Sequence, residues 1–368
     1  MSLHPAALRL TGALVLRDGA LQQRSVAIRR GLISKGPLPE VDLSGYLILP
    51  GIIDLMGAQV GPRAAGGPDL QTALAATDRE IAAHGITTAC LSQGWSWAGE
   101  LHSPTFAEAM LAALEAYRPR ALTSLQVQLR CETHTVDTAD RLLALARRHA
   151  LASVLFQNTL ETRGPEPHQR ADKAAQQARS VPRYLCRLAE AFDTLGTVYG
   201  SHGDPDGETR ETFSMIGAKL CVAPRKRSAA ALARAVGDPV ALPASALLQP
   251  PGLMDTGLAA DLVRAGLCDA LVSDGTLHGL TAAAFHLSDS GVLDLPRAWA
   301  LISQRPAEIL RLADRGVIDY GRRADLTVIN ANTRTVEATI CGGRITYLAG
   351  EAAQRFLGLH RDIAIAAE

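Results

Sequence analysis

The sequence predicts an α/β chain, a TIM-like (β/α)8 barrel with a small β domain formed by both chain termini. Three observations lead there. From residue 49 to residue 315, apolar runs of about four to seven residues alternate with longer alanine-rich stretches of helical period, the pattern of buried parallel strands joined by crossover helices. Eight such runs can be placed, the number a closed barrel needs. Before Pro50 and after Gly316 the pattern changes to short strands broken by turn residues.

In chain order, terminal strands are expected over Leu8–Leu16, Ser25–Ile28, Gly31–Ser34 and Tyr46–Leu49, with a turn at Asp18-Gly19. Barrel strands follow at Gly51–Leu55, Ile86–Leu91, Leu125–Arg130, Ala152–Phe156, Thr197–Ser201, Ala218–Val222, Val240–Pro243 and Ala270–Ser273. Helical period runs through Leu70–Ala83, Ala107–Ala116, Ala139–Arg148 and Leu258–Ala265, and a final helix is expected over Pro296–Leu310. Late strands are expected at Gly316–Ile318, Asp325–Ile329, Val336–Ile340 and Arg344–Tyr347. Residues 1–48 and 316–350 then form the small domain, 49–315 the barrel and 351–368 a C-terminal tail. The polar stretch Glu166–Arg183 carries Arg170, Lys173, Arg179 and Arg183, and reads as a solvated helix face or as a basic element over the barrel mouth.

Composition narrows the function. Of 368 residues 47% are hydrophobic and 20% charged, so a sizeable core is available and disorder is excluded as the dominant state. Thirty-seven basic residues balance thirty-seven acidic ones, which leaves no global field for nucleic acid or an anionic membrane. An anion site has to be local. The six cysteines are dispersed and read as reduced, mostly buried thiols. With no apolar leader and no long apolar run, the expected location is the cytoplasm. Whether the chain forms a homo-oligomer stays open at this level.

Side chains from several strands converge only at the C-terminal strand ends of such a barrel, and Glu132, His202 and Asp274 fall there. Arg63 follows the first strand, and Arg225 lies in the run Pro224–Arg227 after the sixth; either guanidinium suits a phosphate or carboxylate. His134 and His278 stand close enough in sequence to Glu132 and Asp274 to reach the same pocket. Trp95 and Trp97 follow the second strand and either wall the pocket or cover the barrel top. No nucleophile-elbow, Ser-centred or Cys-centred motif appears.

Two segments are more specific than periodicity: Leu49-Pro-Gly-Ile-Ile-Asp54, and the stretch from Asp314 to Asn330 that contains Gly321-Arg-Arg-Ala-Asp-Leu-Thr-Val-Ile. Together they resemble the bracketing motifs of the amidohydrolase superfamily. Between them Ala83-His-Gly-Ile-Thr-Thr, Leu129-Arg-Cys-Glu132, Ser201-His202 and Val272-Ser-Asp274 are most similar to the PhnM-type branch, the triphosphate diphosphatases of phosphonate breakdown.

The resemblance implies a hydrolase with Glu132 as a bridging carboxylate, His202 as an imidazole ligand and Asp274 as both ligand and proton acceptor. It also exposes departures. Where the family carries a histidine, one residue, then a histidine or aspartate, this chain has Met56 and Ala58, which offer a hard cation nothing better than a thioether. Gln157-Asn158 stand where the branch has Asp-His, leaving Asn158 an amide oxygen for substrate, and the loop Ala244–Gly252 lacks the branch's glycine, serine and histidine. The expectation is a hydrolase of a small phosphate or phosphonate anion with at most one weakly held divalent metal, zinc or manganese, on Glu132, His202 and Asp274. The competing expectation is a non-catalytic relative that binds a ligand or a partner protein.

Overall fold

A computed structural model describes residues 7–60, 69–159, 167–249 and 256–366. Eight parallel strands, Ile52–Asp54, Ile86–Trp95, Ser124–Glu132, Ser153–Gln157, Val198–His202, Leu220–Val222, Val240–Pro243 and Ala270–Val272, are hydrogen-bonded in chain order. They are called barrel strands one to eight below. Helices alternate with them, and Leu70–Ala83 and Ala139–Arg148 match their expected limits. The first begins where Asp69 accepts a hydrogen bond from the Thr72 amide (2.8 Å), which satisfies one of the orphan donors of its first turn.

Strand alternation sorts the side chains into two layers. On strand three, Val127, Leu129 and Cys131 pack outward in the shell between strands and helices, so Gln128, Arg130 and Glu132 face the barrel axis. Inside, Ile53, Leu55, Met56, Cys90, Leu155, Leu220, Val222, Ala241 and Val272 form a separate cluster, with Ala307 and Leu310 packed against it. This filled interior leaves ligand space only at the strand ends.

The final helix differs from expectation. Pro296–Leu310 is two helices, Leu295–Ala300 and Gln304–Ile309. Pro306 has no N–H to offer the Ile302 carbonyl four residues earlier. That carbonyl instead accepts from the Ile53 amide (2.8 Å), while the Leu301 carbonyl accepts from the Leu271 amide (2.9 Å). The break thus bridges the seam between barrel strands one and eight.

Both termini contribute to the additional strands, in two sheets. The expected strand Leu8–Leu16 splits at Gly12, whose φ of 76° and close approach to Asp42 and Ser44 exclude a side chain. Leu8–Thr11 joins a four-stranded sheet and Leu14–Arg17 a six-stranded one that also holds Tyr46–Pro50, Leu326–Asn330, Val336–Cys341 and Arg344–Leu348. Gly316–Ile318 is not a strand, although Ile318 is buried. Residues 351–368, expected as a tail, belong largely to a helix over Gly350–Ala366, whose Ala352 and Phe356 join the core of these sheets. Ala352, Ala353, Phe356 and Leu357 follow a helical period, and the sheets supply the surface that buries Ala352 and Phe356. Among the described residues no helix is long and apolar enough to cross a membrane.

Candidate functional site at the barrel mouth

Barrel strands three and four are in register at Glu132 and Gln157, and this juxtaposition organises one side of the mouth. Glu132 is fully buried. Its carboxylate accepts from Gln157 Nε2 (3.2 Å), from the Thr159 amide (3.2 Å) and, at short range, from the Thr159 hydroxyl. These donors occupy much of what two carboxylate oxygens can accept.

Beside this group lies a cavity of about 100 Å³ lined by Gly94, Ser96, Ala98, His102, Arg130, Gln157 and Thr159. Arg130 reaches it because it shares the inward face of strand three with Glu132. His102 arrives from a turn of 3-10 helix, Glu100–His102, beyond strand two. Its Nδ1 is 3.2 Å from Gln59 Nε2, and Gln59 belongs to the loop after strand one. Lys173, on the helix Pro167–Gln177, is held by Asp137 (2.9 Å) and lies 3.9 Å from the centroid of the Trp97 ring. Lys173 thereby ties this helix to the loops that follow strands two and three.

His202 ends strand five and is half-buried. The turn that carries it is braced from behind. Arg210, fully buried, donates to Ser201 Oγ (2.6 Å) and Asp204 Oδ2 (3.5 Å) and pairs with Asp238 (3.3 Å). Burial pushes the Asp204 carboxyl up from its ordinary range, against the opposing pull of Ser201 and Arg210. Arg225 is exposed, and its guanidinium flanks Gly203, the residue after His202.

Asp274 follows strand eight, exposed, with φ 45° and its amide donating to the Met56 carbonyl (3.0 Å). Beneath it the wholly buried Asp54 accepts from the Ser273 amide (3.1 Å), the Ser273 hydroxyl (2.6 Å) and the Met56 amide (3.2 Å), tying strand one to strand eight.

Several expected residues lie elsewhere. Asn158 is exposed, and its neighbours Gln157 and Thr159 line the cavity instead, because an odd step along a strand end reverses the side chain. Arg63 lies outside the described residues. His134 Nδ1 is 3.1 Å from Thr133 Oγ1. His278 lines a different cavity, of about 540 Å³, with His84, Phe285, His286 and Arg334. Trp95 is buried in the outer shell and donates to Thr138 Oγ1 (2.9 Å). All six cysteines are unpaired as disulfides, and burial raises the Cys131 and Cys341 thiols to about 12, which leaves them inert as nucleophiles.

The donor set does not fit a resident divalent ion. Among the described residues no three His, Cys, Asp or Glu side chains are gathered to hold a metal, so Glu132, His202 and Asp274 do not form a ready ligand group. The physical reasons are local. Met56 is 1% exposed and fills the barrel interior with its thioether, Ala58 has no donor, and Thr159 and Gln157 hold Glu132.

Of the pocket residues, Arg130 was within reach of sequence reasoning, since Glu132 and strand alternation place it inward. His102 was not, because a loop delivers it.

No family model matches the chain. Over 351 residues, 84% of this chain and 90% of the other, it is 25% identical to the alpha-D-ribose 1-methylphosphonate 5-triphosphate diphosphatase of Escherichia coli K12. Among solved structures, a prolidase complexed with N-methylphosphonate-L-proline superposes with a TM-score of 0.66 at 16% identity, covering 93% of this chain and 100% of that one. The beta-aspartyl dipeptidase of Fervidobacterium islandicum AW-1 gives 0.65 at 15% identity, with 93% and 96% covered. A D-hydantoinase gives 0.65 at 14%, with 94% and 97% covered. The solved structures share the fold. The curated relative adds a likeness in sequence along most of both chains, so the chain is PhnM-like in sequence and shares its barrel fold with these solved hydrolases.

Proposed function

We propose that this chain is a cytoplasmic hydrolase of a small phosphate or phosphonate anion, bound at the C-terminal mouth of its barrel. The observation that carries the reading is the cavity between strands two, three and four, where Arg130 brings a permanent positive charge and His102, Ser96 and Thr159 bring polar groups. Its volume of about 100 Å³ equals about three waters, which suits a phosphoryl or phosphonyl head with the rest of the molecule outside. The hydrolase activity named for the curated relative, on a phosphonate-bearing triphosphate, supports the reaction class.

In this reading Arg130 binds the anion, Arg225 attracts it toward the mouth, and Asp274 takes the proton from attacking water. Replacing Arg130 by glutamine is expected to raise KM about 10- to 100-fold with a smaller change in kcat, because a ground-state ion pair is lost. Asp274→Asn is expected to lower kcat about 10²- to 10⁴-fold with KM less affected. Turnover of a panel of phosphate and phosphonate esters, read as the phosphate, diphosphate or free phosphonate released, measures both. Turnover indifferent to both substitutions would sink the assignment.

Elemental analysis of protein purified without chelator is expected to find at most one readily removed zinc or manganese per chain; two tightly bound ions would contradict the donor chemistry at Met56 and Ala58. A second reading, a non-catalytic binder, is favoured by one observation, the packing of Met56 into the interior where a ligand would stand. Saturable binding of the panel without turnover would establish it instead.

A further inference from the structure

The loop after strand two delivers His102 in a fixed pose. The Ser96 amide donates to the His102 carbonyl (2.8 Å), Gln93 Nε2 to the Leu101 carbonyl (2.8 Å), and the next residue, Ser103, caps the helix Pro104–Tyr117 by accepting from the Phe106 amide (3.1 Å). The imidazole then lies over Gly94, on the inward face of strand two. A Cβ at residue 94 would stand 2.5 Å from His102 Nδ1, 2.9 Å from its Cβ and 3.0 Å from its Cγ, and these are the three nearest atoms. Gly94 is not among the positive-φ residues, so glycine is needed there for space and not for backbone freedom.

Gln59 steadies the ring from the loop after strand one. Its Nε2 lies 3.5 Å from the Leu101 carbonyl and 3.2 Å from His102 Nδ1. The imidazole lines the same cavity as Arg130.

We propose that His102 is the imidazole that hydrogen-bonds a terminal oxygen of the phosphoryl or phosphonyl head, and that the bare Gly94 is the positioning residue that admits it. This rests on the barrel mouth being the anion site. A guanidinium and an imidazole N–H delivered from different elements hold a tetrahedral anion in one orientation, which a single cation does not.

Isothermal titration of the full chain with methylphosphonate and with inorganic phosphate tests it. His102→Ala is expected to weaken methylphosphonate about 10- to 100-fold with an unchanged melting temperature, and His102→Gln, which keeps an N–H donor, to recover part of the loss. Gly94→Ala is expected to weaken binding similarly in the native background. It should add nothing to His102→Gly, in which the obstructed side chain is already gone.

Unchanged affinity in His102→Ala, with Arg130→Gln impaired, would overturn the role of His102 and leave the site standing. An equal cost of Gly94→Ala in both backgrounds would remove Gly94 as its positioning residue. Absence of methylphosphonate and phosphate binding by the unmodified chain would overturn the barrel-mouth site and this inference together. If Gly94→Ala fails to fold, the His102 variants alone decide.

Discussion

Replacing Arg210 by methionine is expected to lower the stability of the chain by about 3–5 kcal/mol. The guanidinium has no solvent exposure, and neither do the carboxylates it neutralises, Asp204 and Asp238, to any useful extent. Methionine fills similar volume but leaves both aspartates without their buried cation, and it strips the Ser201 hydroxyl and the Ala218 and Leu220 carbonyls of a donor. Lys219 stands 3.7 Å from Asp238 with its side chain 59% exposed, so it cannot replace Arg210. Urea denaturation at pH 7 measures the effect. The triple variant Arg210→Met, Asp204→Asn, Asp238→Asn is expected to recover most of the loss, since the penalty is the uncompensated charge. A loss below about 1 kcal/mol in the single variant would show that the cluster is not the brace behind His202.

Asp54 separates charge from hydrogen bonding. Asp54→Ala is expected to cost about 3–5 kcal/mol, because the Ser273 and Met56 amides lose their acceptor at the barrel seam. Asp54→Asn keeps an acceptor for both amides and is expected to be neutral or stabilising at pH 7.

The pH dependence fixes the sign. Burial, foremost, pushes the Asp54 carboxyl up, and Ser273 and Met56 only partly offset it. The native state therefore still holds the proton at pH values above about 4, where the unfolded chain has released it. In that window the native state binds more protons, so stability falls as pH rises toward the native pKa, and the cost is complete above it. Asp54→Asn removes this segment of the profile. Asp204 and Asp325 are raised in the same direction but are common to both proteins, so the difference between the two curves isolates Asp54. Parallel denaturation profiles for the two proteins from pH 4 to pH 8 would mean that Asp54 is not a raised carboxyl.

The barrel was legible because its signals are local. Val240–Pro243 is apolar throughout and Leu70–Ala83 is amphipathic and capped by Asp69, whereas the interruption of the last helix was missed, although Pro306 is a local signal for it. Alternation also settles that Arg130 and Glu132 share one face of their strand, whatever the rest of the chain does. The splitting of Leu8–Leu16 at Gly12 was not legible, because the reason is contact with Asp42 and Ser44, about thirty residues away.

The same division governs the site. Sequence by itself determined that Met56 and Ala58 bring no ligand to the first strand, and that Glu132, His202 and Asp274 follow strand ends. Only the tertiary structure decided that Thr159 and Gln157 claim Glu132, that Met56 fills the interior, and that His102 enters over Gly94. The physical reason is the range of the forces. Strand direction and helical period are set by neighbours along the chain, whereas hydrogen bonds and van der Waals exclusion at the mouth act between loops whose meeting depends on the stagger of the closed sheet.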